Sequence, residues 1–259
     1  MIFADIKGKT YTAEDILTSN CIGLLSLLPP NHLISFLSRA VNLEGKKLDL
    51  SSFNEIEKLD FWPYLSNVGE PDVLCILKSC FTNQRCILII ECKHGAGKSG
   101  YGVGENKIND QLSKYYIAAT KNFSHESKKI FVIYLTHHRC MPKDEIMESI
   151  SIVGGKSSNL FYWLSWFHLY EYSMEQLTKT ECSITANIYK MLKKYLEHKG
   201  YQTWQSWYYI HPYLLRKYVY KRCYYNALSS RTSRFYLHKY IFDYLSHVPI
   251  MEVYNGKHN

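Results

Sequence analysis

The 259-residue chain predicts an α/β (α+β) fold, in which helices flank a β-sheet and a mostly helical region follows. Apolar, β-rich runs recur in the middle of the chain, whereas apolar residues at helical spacing mark its beginning and its end. Hydrophobic residues make up 46% of the sequence, which is enough for a sizeable core. We predict a core domain over residues 1–155 and a mainly helical region over 156–259 that packs on it.

The first predicted helix begins at Thr12, because Asp15 follows three residues later in a pattern typical of a helix N-terminus. A proline pair at 29–30 ends this helix. Its apolar face consists of Ile16, Leu17, Cys21, Leu24, Leu25 and Leu28. A second helix is predicted over 33–41 and a first strand over 59–66.

Two apolar runs in the middle of the chain predict a β-hairpin. They are "DVLCILKSC" at 72–80 and "CILIIECK" at 86–93, joined by the polar loop "FTNQR". With the turn centred near 81–83, Asp72 lies opposite Lys93.

The predicted hairpin concentrates charge at one end. Side chains alternate between the faces of a strand, so Glu91 and Lys93 share one face while Cys92 takes the other. Asp72, Glu91 and Lys93 are therefore expected to lie together. A structural cross-strand ion pair is the alternative explanation for these charges.

Further elements follow a glycine-rich loop at 95–104. The sequence predicts a helix over 105–120, strands over 128–136 and 160–164, and mostly helix after Ser165, which can cap one of these helices. The glycine- and serine-rich stretch at 154–158 resembles a linker. The last helix is expected to end near Gly200. Its apolar face is predicted to consist of Ile184, Ile188, Met191, Leu192, Tyr195 and Leu196.

Composition excludes several classes of protein. Eight cysteines form no C-x-x-C pair, which favours reduced, buried thiols over a zinc site. No apolar run reaches the roughly 18 residues of a membrane span, and the N-terminus lacks a signal-peptide pattern. We expect a cytoplasmic protein with no membrane partner. The net charge of +8 favours an anionic partner.

The segment "GAGKS" at 95–99 is similar to the end of a phosphate-binding P-loop. The full motif requires a glycine five residues before Gly97, where this chain has Cys92. A helix should also follow at once, whereas several more glycines intervene. A nucleotide hydrolase that uses 97–99 is therefore a weak alternative, and it predicts ATP turnover that is sensitive to Lys98→Ala.

The hairpin carboxylates predict a different chemistry. Phosphodiester hydrolysis uses a divalent cation to gather charge and activate water. Mg²⁺ is bound by one or two carboxylates together with water and substrate oxygens, and Asp72 and Glu91 can supply those carboxylates. Lys93 can orient the attacking water or help to deprotonate it.

Three short motifs resemble the PD-(D/E)XK nuclease superfamily. They are "EPD" at 70–72, "IIECK" at 89–93 and "QLSKY" at 111–115, the last of which is similar to the Q-x-x-x-Y motif of RecB-like members. The resemblance covers about residues 59–135. It implies a restriction-endonuclease-like core, with a mixed sheet of about four strands in the order α-β-β-β-α-β.

The resemblance also implies roles for individual residues. Asp72, Glu91 and the main-chain carbonyl of Cys92 would bind Mg²⁺, for which Mn²⁺ would substitute, and Lys93 would act on the water. Two helical residues would position the phosphate or Lys93, and an acidic residue of the first helix would join the site. These three residues are Gln111, Tyr115 and Glu14. Stabilisation of the helix N-terminus is an equal explanation for Glu14.

The C-terminal region carries a basic and aromatic segment. No acidic residue occurs between Glu197 and Asp243, where lysines and arginines alternate with many aromatic rings. Basic side chains neutralise phosphates, while most of the rings are expected to form helical core. Two lysines flanking the hairpin end could also touch phosphate. The candidate nucleic-acid contacts are Lys98, Lys107, Arg216, Lys217, Lys221 and Arg222.

The resemblance implies a Mg²⁺-dependent deoxyribonuclease, an endonuclease in defence, restriction or repair. DNA is the expected partner, together with a second copy of the chain or a partner protein of a defence system. The alternative is a non-catalytic nucleic-acid-binding module that uses the same fold. Such a module would bind DNA through its basic segment and form no products at any Mg²⁺ concentration.

Overall fold

A computed structural model describes residues 2–8, 12–65, 68–82, 84–100, 103–104, 107–123, 128–154 and 159–203. The helices run over α1 Ile2–Ile6, α2 Ala13–Ser26, α3 Pro30–Leu37, α4 Gln111–Asn122, α5 Lys143–Val153, α6 Trp166–Lys179 and α7 Ser183–His198. The strands run over β1 Glu55–Phe61, β2 Val73–Lys78, β3 Arg85–Cys92, β4 Val103–Gly104, β5 Lys107–Ile108, β6 Lys128–Thr136 and β7 Phe161–Ser165.

The main sheet is mixed and has five strands in the order β1-β2-β3-β6-β7. β1, β2 and β3 form an antiparallel meander, whereas β6 lies parallel to β3 and β7 lies parallel to β6. Parallel neighbours need a crossover connection, which α4 and α5 supply. The predicted α/β fold with flanking helices is confirmed, and the order from α2 to β6 includes the expected α-β-β-β-α-β succession.

Burial on both faces explains the apolar run of β3. Alternate residues of this strand enter two hydrophobic clusters, one on each side of the sheet. Leu88 and Ile90 lie in the cluster that contains α2, whereas Ile87 and Ile89 lie in the cluster that contains α4. A strand with both faces covered reads as continuously apolar, and its charged end is therefore conspicuous.

Capping residues set several helix ends as predicted. The Thr12 side chain accepts a hydrogen bond from the Asp15 amide at 3.0 Å, which begins α2. Ser165 caps α6 in the same way. The α4 helix begins at Gln111 rather than near 105, because the Asp110 side chain accepts from the Ser113 amide and caps the helix there.

Other predicted boundaries are wrong in informative ways. The first strand ends at Phe61 instead of beginning near 59, because the backbone turns at Trp62, which has φ 48°. The α5 helix was not predicted from the sequence. On α7, Leu192 and Leu196 are buried as predicted, but Tyr189 takes the place expected for Ile184 and Met191, which are 70% and 56% exposed.

The compact unit extends through Thr203, beyond the predicted boundary at 155. β7 hydrogen-bonds to β6, and residues of α6 and α7 join the same hydrophobic cluster as α2 and α3. Residues 204–259 lie outside the part of the chain that the structure describes.

Two expectations from composition can be compared with the described residues. Each cysteine within these ranges is a free thiol, and Cys21, Cys75, Cys86 and Cys92 are buried. In the same ranges, no helix is both long and apolar enough to span a membrane.

Candidate active site

Three acidic side chains and one lysine meet at the end of β3. Glu14 comes from the first turn of α2, Asp72 immediately precedes β2, and Glu91 and Lys93 lie at the end of β3. The Lys93 Nζ donates to Glu91 Oε1 at 2.6 Å and to Glu14 Oε1 at 3.1 Å. The structure thus brings together the groups that the hairpin prediction singled out and Glu14, the helix residue that the resemblance implied for the site. These four residues are called the acidic centre below.

The register of the hairpin differs from the predicted one. Val73 pairs with Ile90, which sets Asp72 across from Glu91 instead of Lys93. The shift is two residues along one strand. Because side chains alternate with a period of two, such a shift leaves every side chain on its predicted face. The three side chains therefore lie on the same face as predicted, although the predicted position of the turn is wrong.

Asp72 is held by hydrogen bonds to both carboxylate oxygens. The Cys92 amide donates to Oδ2 at 2.7 Å, and the Trp62 indole donates to Oδ1 at 3.1 Å. Burial raises the pKa of Asp72 to about 7, although the Cys92 amide and the Lys93 ammonium act in the opposite direction. The side chain is fixed in orientation yet poorly compensated in charge.

The charge of the Glu91 carboxylate is compensated even less than that of Asp72. Burial raises the pKa of Glu91 well above its usual value, and the neighbouring Asp72 raises it further. Lys93 satisfies Oε1, but the buried Oε2 has no hydrogen-bond partner among the described residues. Buried polar oxygens normally have a partner, so this atom requires an explanation.

Lys93 remains an ammonium group in this setting. Burial lowers the pKa of Lys93, but the carboxylates of Glu91, Glu14 and Asp72 together outweigh burial and raise that pKa above its usual value. The acidic centre therefore combines three carboxylates with a single cation. With all groups ionised its formal charge is −2, a surplus that a divalent cation would neutralise.

The donor set fits Mg²⁺ or Mn²⁺, which accept carboxylates together with main-chain and water oxygens. No group of three or more His, Cys, Asp or Glu residues forms a metal-ligand cluster within the described ranges. Two carboxylates and a carbonyl would form the protein part of the site. The Lys93 amide donates to Leu135 of β6, so the preceding Cys92 carbonyl, on the opposite side of the trans peptide, points to the side of β3 on which β2 and Asp72 lie.

Gln111 and Tyr115 form a connected pair on α4. The Gln111 Nε2 donates to the Tyr115 hydroxyl at 3.2 Å, and that hydroxyl donates to the Glu70 carbonyl at 3.0 Å. The Gln111 Oε1 accepts from the Ser99 amide. A cavity of about 150 Å³ adjoins the pair and is lined by Val68, Ser99, Gly100, Asn109, Gln111, Lys114 and Tyr115. The pair thus ties the glycine-rich loop to the segment before Asp72.

The glycine-rich loop does not have the geometry of a P-loop. The amide groups at 94, 95, 98 and 99, in the loop and just before it, donate to side chains of three helices and of the segment after β6 instead of pointing into a common cradle. The acceptors are Glu14, His137, Glu145 and Gln111. A phosphate would have to displace these contacts, which argues against the nucleotide hydrolase.

Lys98 is a correction to the predicted nucleic-acid contacts. Its ammonium is fully buried, forms an ion pair with Asp110 and lies 2.9 Å from Glu148 Oε2. It also donates to Ser149 Oγ and to the Glu145 carbonyl. A lysine buried between α4 and α5 cannot reach a phosphate on the surface. We call this group of residues the Lys98 network.

The remaining predicted nucleic-acid contacts cannot be located. The side chain of Lys107 is outside the described part of the chain, and so are four residues of the C-terminal segment. These four are Arg216, Lys217, Lys221 and Arg222.

Two tryptophans at the site were missed by the sequence analysis. The Trp62 indole donates to Asp72, and the Trp166 indole donates to the Lys93 carbonyl at 3.1 Å. Both are buried. No local pattern marks them, because each contact joins residues that come together only when the sheet and its flanking helices assemble.

Comparisons of the chain with protein-family models, with curated proteins and with solved structures found no match.

Proposed function

We propose that this chain is a divalent-metal-dependent nuclease that hydrolyses phosphodiester bonds in DNA. The observation that carries the proposal is the acidic centre: two buried carboxylates with raised pKa values, a Glu91 oxygen without a partner among the described residues, and an adjacent ammonium. Buried surplus charge is costly to a fold and is concentrated at functional sites. The α-β-β-β-α-β order of elements supports the PD-(D/E)XK resemblance.

In this proposal Asp72 and Glu91 hold Mg²⁺ or Mn²⁺. Such a cation, when bound, lowers the pKa of water and draws charge from the phosphate. The protein contributes a fixed orientation of Asp72, set by the Cys92 amide and the Trp62 indole. Glu91 contributes its buried Oε2, at the end of the neighbouring strand, which has no partner in the part of the chain that the structure describes.

Lys93 acts as a hydrogen-bond donor in this mechanism, because its carboxylate partners keep it protonated. Its ammonium can orient the attacking water and offset the negative charge that develops on the phosphate oxygens. Glu14 holds that ammonium from the other side and also accepts from the His94 amide. Gln111 and Tyr115 fix the segment before Asp72.

DNA as the substrate rests on charge and on the resemblance. The chain carries a net charge of +8, and its acid-free basic segment supplies a counterpart to the phosphate backbone. An endonuclease in defence, restriction or repair is the class that the resemblance implies, and cytoplasmic action fits that class.

The test is incubation of the purified full chain with supercoiled plasmid, linear duplex and single-stranded DNA, with Mg²⁺, Mn²⁺ or EDTA. We expect metal-dependent products that are lost in Asp72→Asn and Glu91→Gln. Glu57→Gln is the matched control, since Glu57 is a strand glutamate in an ion pair with Arg85, away from the acidic centre. DNA band shifts without products at any metal concentration would favour the non-catalytic module.

A further inference from the structure

Trp62 has an unusual backbone. Among the described residues it is the one non-glycine with a positive φ, at 48°. Side chains with a Cβ rarely adopt this left-handed region, and a bulky residue there is under strain. Such strain persists only where surrounding contacts enforce it, and it is found preferentially at functional sites.

Two hydrogen bonds tie Trp62 to one residue, Asp72. β1 and β2 end with the pair Phe61 and Val73, and the next pair outward is Trp62 with Asp72. The Trp62 amide donates to the Asp72 carbonyl at 2.9 Å, and its indole donates to Asp72 Oδ1 at 3.1 Å. The main chain of Trp62 thus holds the main chain of Asp72, and the side chain of Trp62 holds the side chain of Asp72.

Burial gives the indole contact its importance. Trp62 is 5% exposed and Asp72 is 7% exposed, so water competes poorly for either partner. The Cys92 amide already holds Asp72 Oδ2 from the opposite strand. Together the two donors prevent rotation of the carboxylate, and each oxygen keeps a second lone pair for a cation.

We propose that Trp62 is a positioning residue, whose indole N–H sets the Asp72 carboxylate in the orientation that binds a divalent cation. This inference rests on the proposed function, because it assigns Asp72 to a cation. Groups that orient metal ligands commonly change metal affinity or activity by about 10- to 100-fold when removed.

The structure provides a matched control. Trp163 is also 5% exposed, and its indole donates to Thr136 Oγ1 at 2.9 Å instead of to a carboxylate of the acidic centre. Trp163→Phe and Trp62→Phe therefore each remove one indole and one buried hydrogen bond. Only Trp62→Phe removes a bond to Asp72.

The experiment is calorimetric titration of Mn²⁺ alone into the full-length wild type and both variants. We expect Trp62→Phe to weaken Mn²⁺ binding by about 10-fold or more, and Trp163→Phe to leave it within about twofold. In DNA cleavage, Trp62→Phe should lower kcat while the KM for DNA stays nearly constant. Wild-type affinity in Trp62→Phe, or equal losses in both variants, would overturn the positioning role.

A second replacement guards against misfolding of Trp62→Phe. Genetically encoded 3-benzothienylalanine at position 62 keeps the bicyclic shape and replaces only the N–H by sulfur. It should reproduce the loss of Mn²⁺ affinity with a wild-type far-ultraviolet circular dichroism spectrum, and full affinity in this protein would overturn the inference. Absence of Mn²⁺ binding by the wild type would instead overturn the proposed function, and the inference with it.

Discussion

Two buried lysines that are five residues apart illustrate the difference between a structural and a functional charge. Lys98 and Asp110 both have fully buried side chains, and the Lys98 ammonium also contacts Glu148, Ser149 and a main-chain carbonyl. The Lys98 network joins the glycine-rich loop to α4 and α5. It gives the ammonium several acceptors and serves the packing of the loop.

Lys93 lies in a centre with a larger surplus of negative charge, with three carboxylates around one ammonium instead of two. One ammonium faces Glu14 and Glu91, with Asp72 beside them, and Glu91 Oε2 has no partner among the described residues. Burying charge without full compensation costs several kcal/mol. The comparison teaches that satisfied buried charge is weak evidence of function, whereas surplus buried charge of one sign is strong evidence.

The largest expected effect is the loss of DNA cleavage when Lys93 is replaced. Lys93→Met should lower DNA cleavage by about 10²- to 10⁴-fold, the range typical of a lost proton-handling or orienting group. The same variant should bind Mn²⁺ more tightly, because a positive charge beside the cation is removed. Cleavage assays paired with Mn²⁺ titration test both. Retained cleavage, or weakened Mn²⁺ binding, would contradict the role given to Lys93.

The next largest effect is the loss of stability when Lys98 is replaced. Lys98→Met leaves the buried Asp110 carboxylate without its cation, and loss of one partner of a buried ion pair costs about 3–5 kcal/mol. Urea unfolding of the metal-free protein should show this decrease in the free energy of unfolding. At temperatures where the variant stays folded, Mn²⁺ binding should persist. A loss below about 1 kcal/mol, typical of a surface pair, would contradict the comparison.

The pH dependence of stability sharpens the comparison further. The pKa of Asp72 is raised in the fold from 3.8 to about 7, so the folded state binds more protons than the unfolded state between these values. The free energy of unfolding of the metal-free protein should therefore fall as pH rises through that window. Asp72→Asn should reduce the slope, and saturating Mg²⁺ should oppose the fall at the upper end. Urea unfolding at several pH values tests this, and an unchanged slope in Asp72→Asn would count against it.

The smallest expected effect concerns the tie between α4 and the segment before Asp72. Tyr115→Phe removes the hydroxyl that donates to the Glu70 carbonyl and accepts from Gln111. One buried hydrogen bond contributes about 1 kcal/mol, which urea unfolding can detect. Tyr64→Phe, at an exposed tyrosine, is the control. An equal decrease in the free energy of unfolding in both variants would show that the Tyr115 hydroxyl contributes no more than an exposed one.

Local patterns predicted the parts of the fold that have local causes. The β6 strand was predicted at its observed bounds, and caps at Thr12 and Ser165 were identified from one or two residues. The face of α7 was predicted correctly at Leu192 and Leu196 and wrongly at Ile184, because tertiary packing buries Tyr189 and leaves Ile184 exposed. The α5 helix was missed, although acidic residues in its first turn and Gly154 at its end are helix signals.

The residues of the site were predictable only where a local sequence pattern marks them. Charges that end a buried apolar strand are visible in the sequence, so Glu91 and Lys93 could be singled out. The burial of Lys98 could not be, because its partners Asp110 and Glu148 lie on later helices. Trp62 could not be singled out either, since its importance depends on a backbone angle and on one cross-strand contact.

The acidic centre as a cation site is the central claim, and anomalous diffraction from Mn²⁺-soaked crystals of the full chain tests it most directly. We predict an anomalous peak in contact with the carboxylates of Asp72 and Glu91 that disappears in Glu91→Gln crystals. Saturating Mn²⁺ that leaves no peak between these carboxylates, or a peak that persists unchanged in Glu91→Gln, would contradict the account.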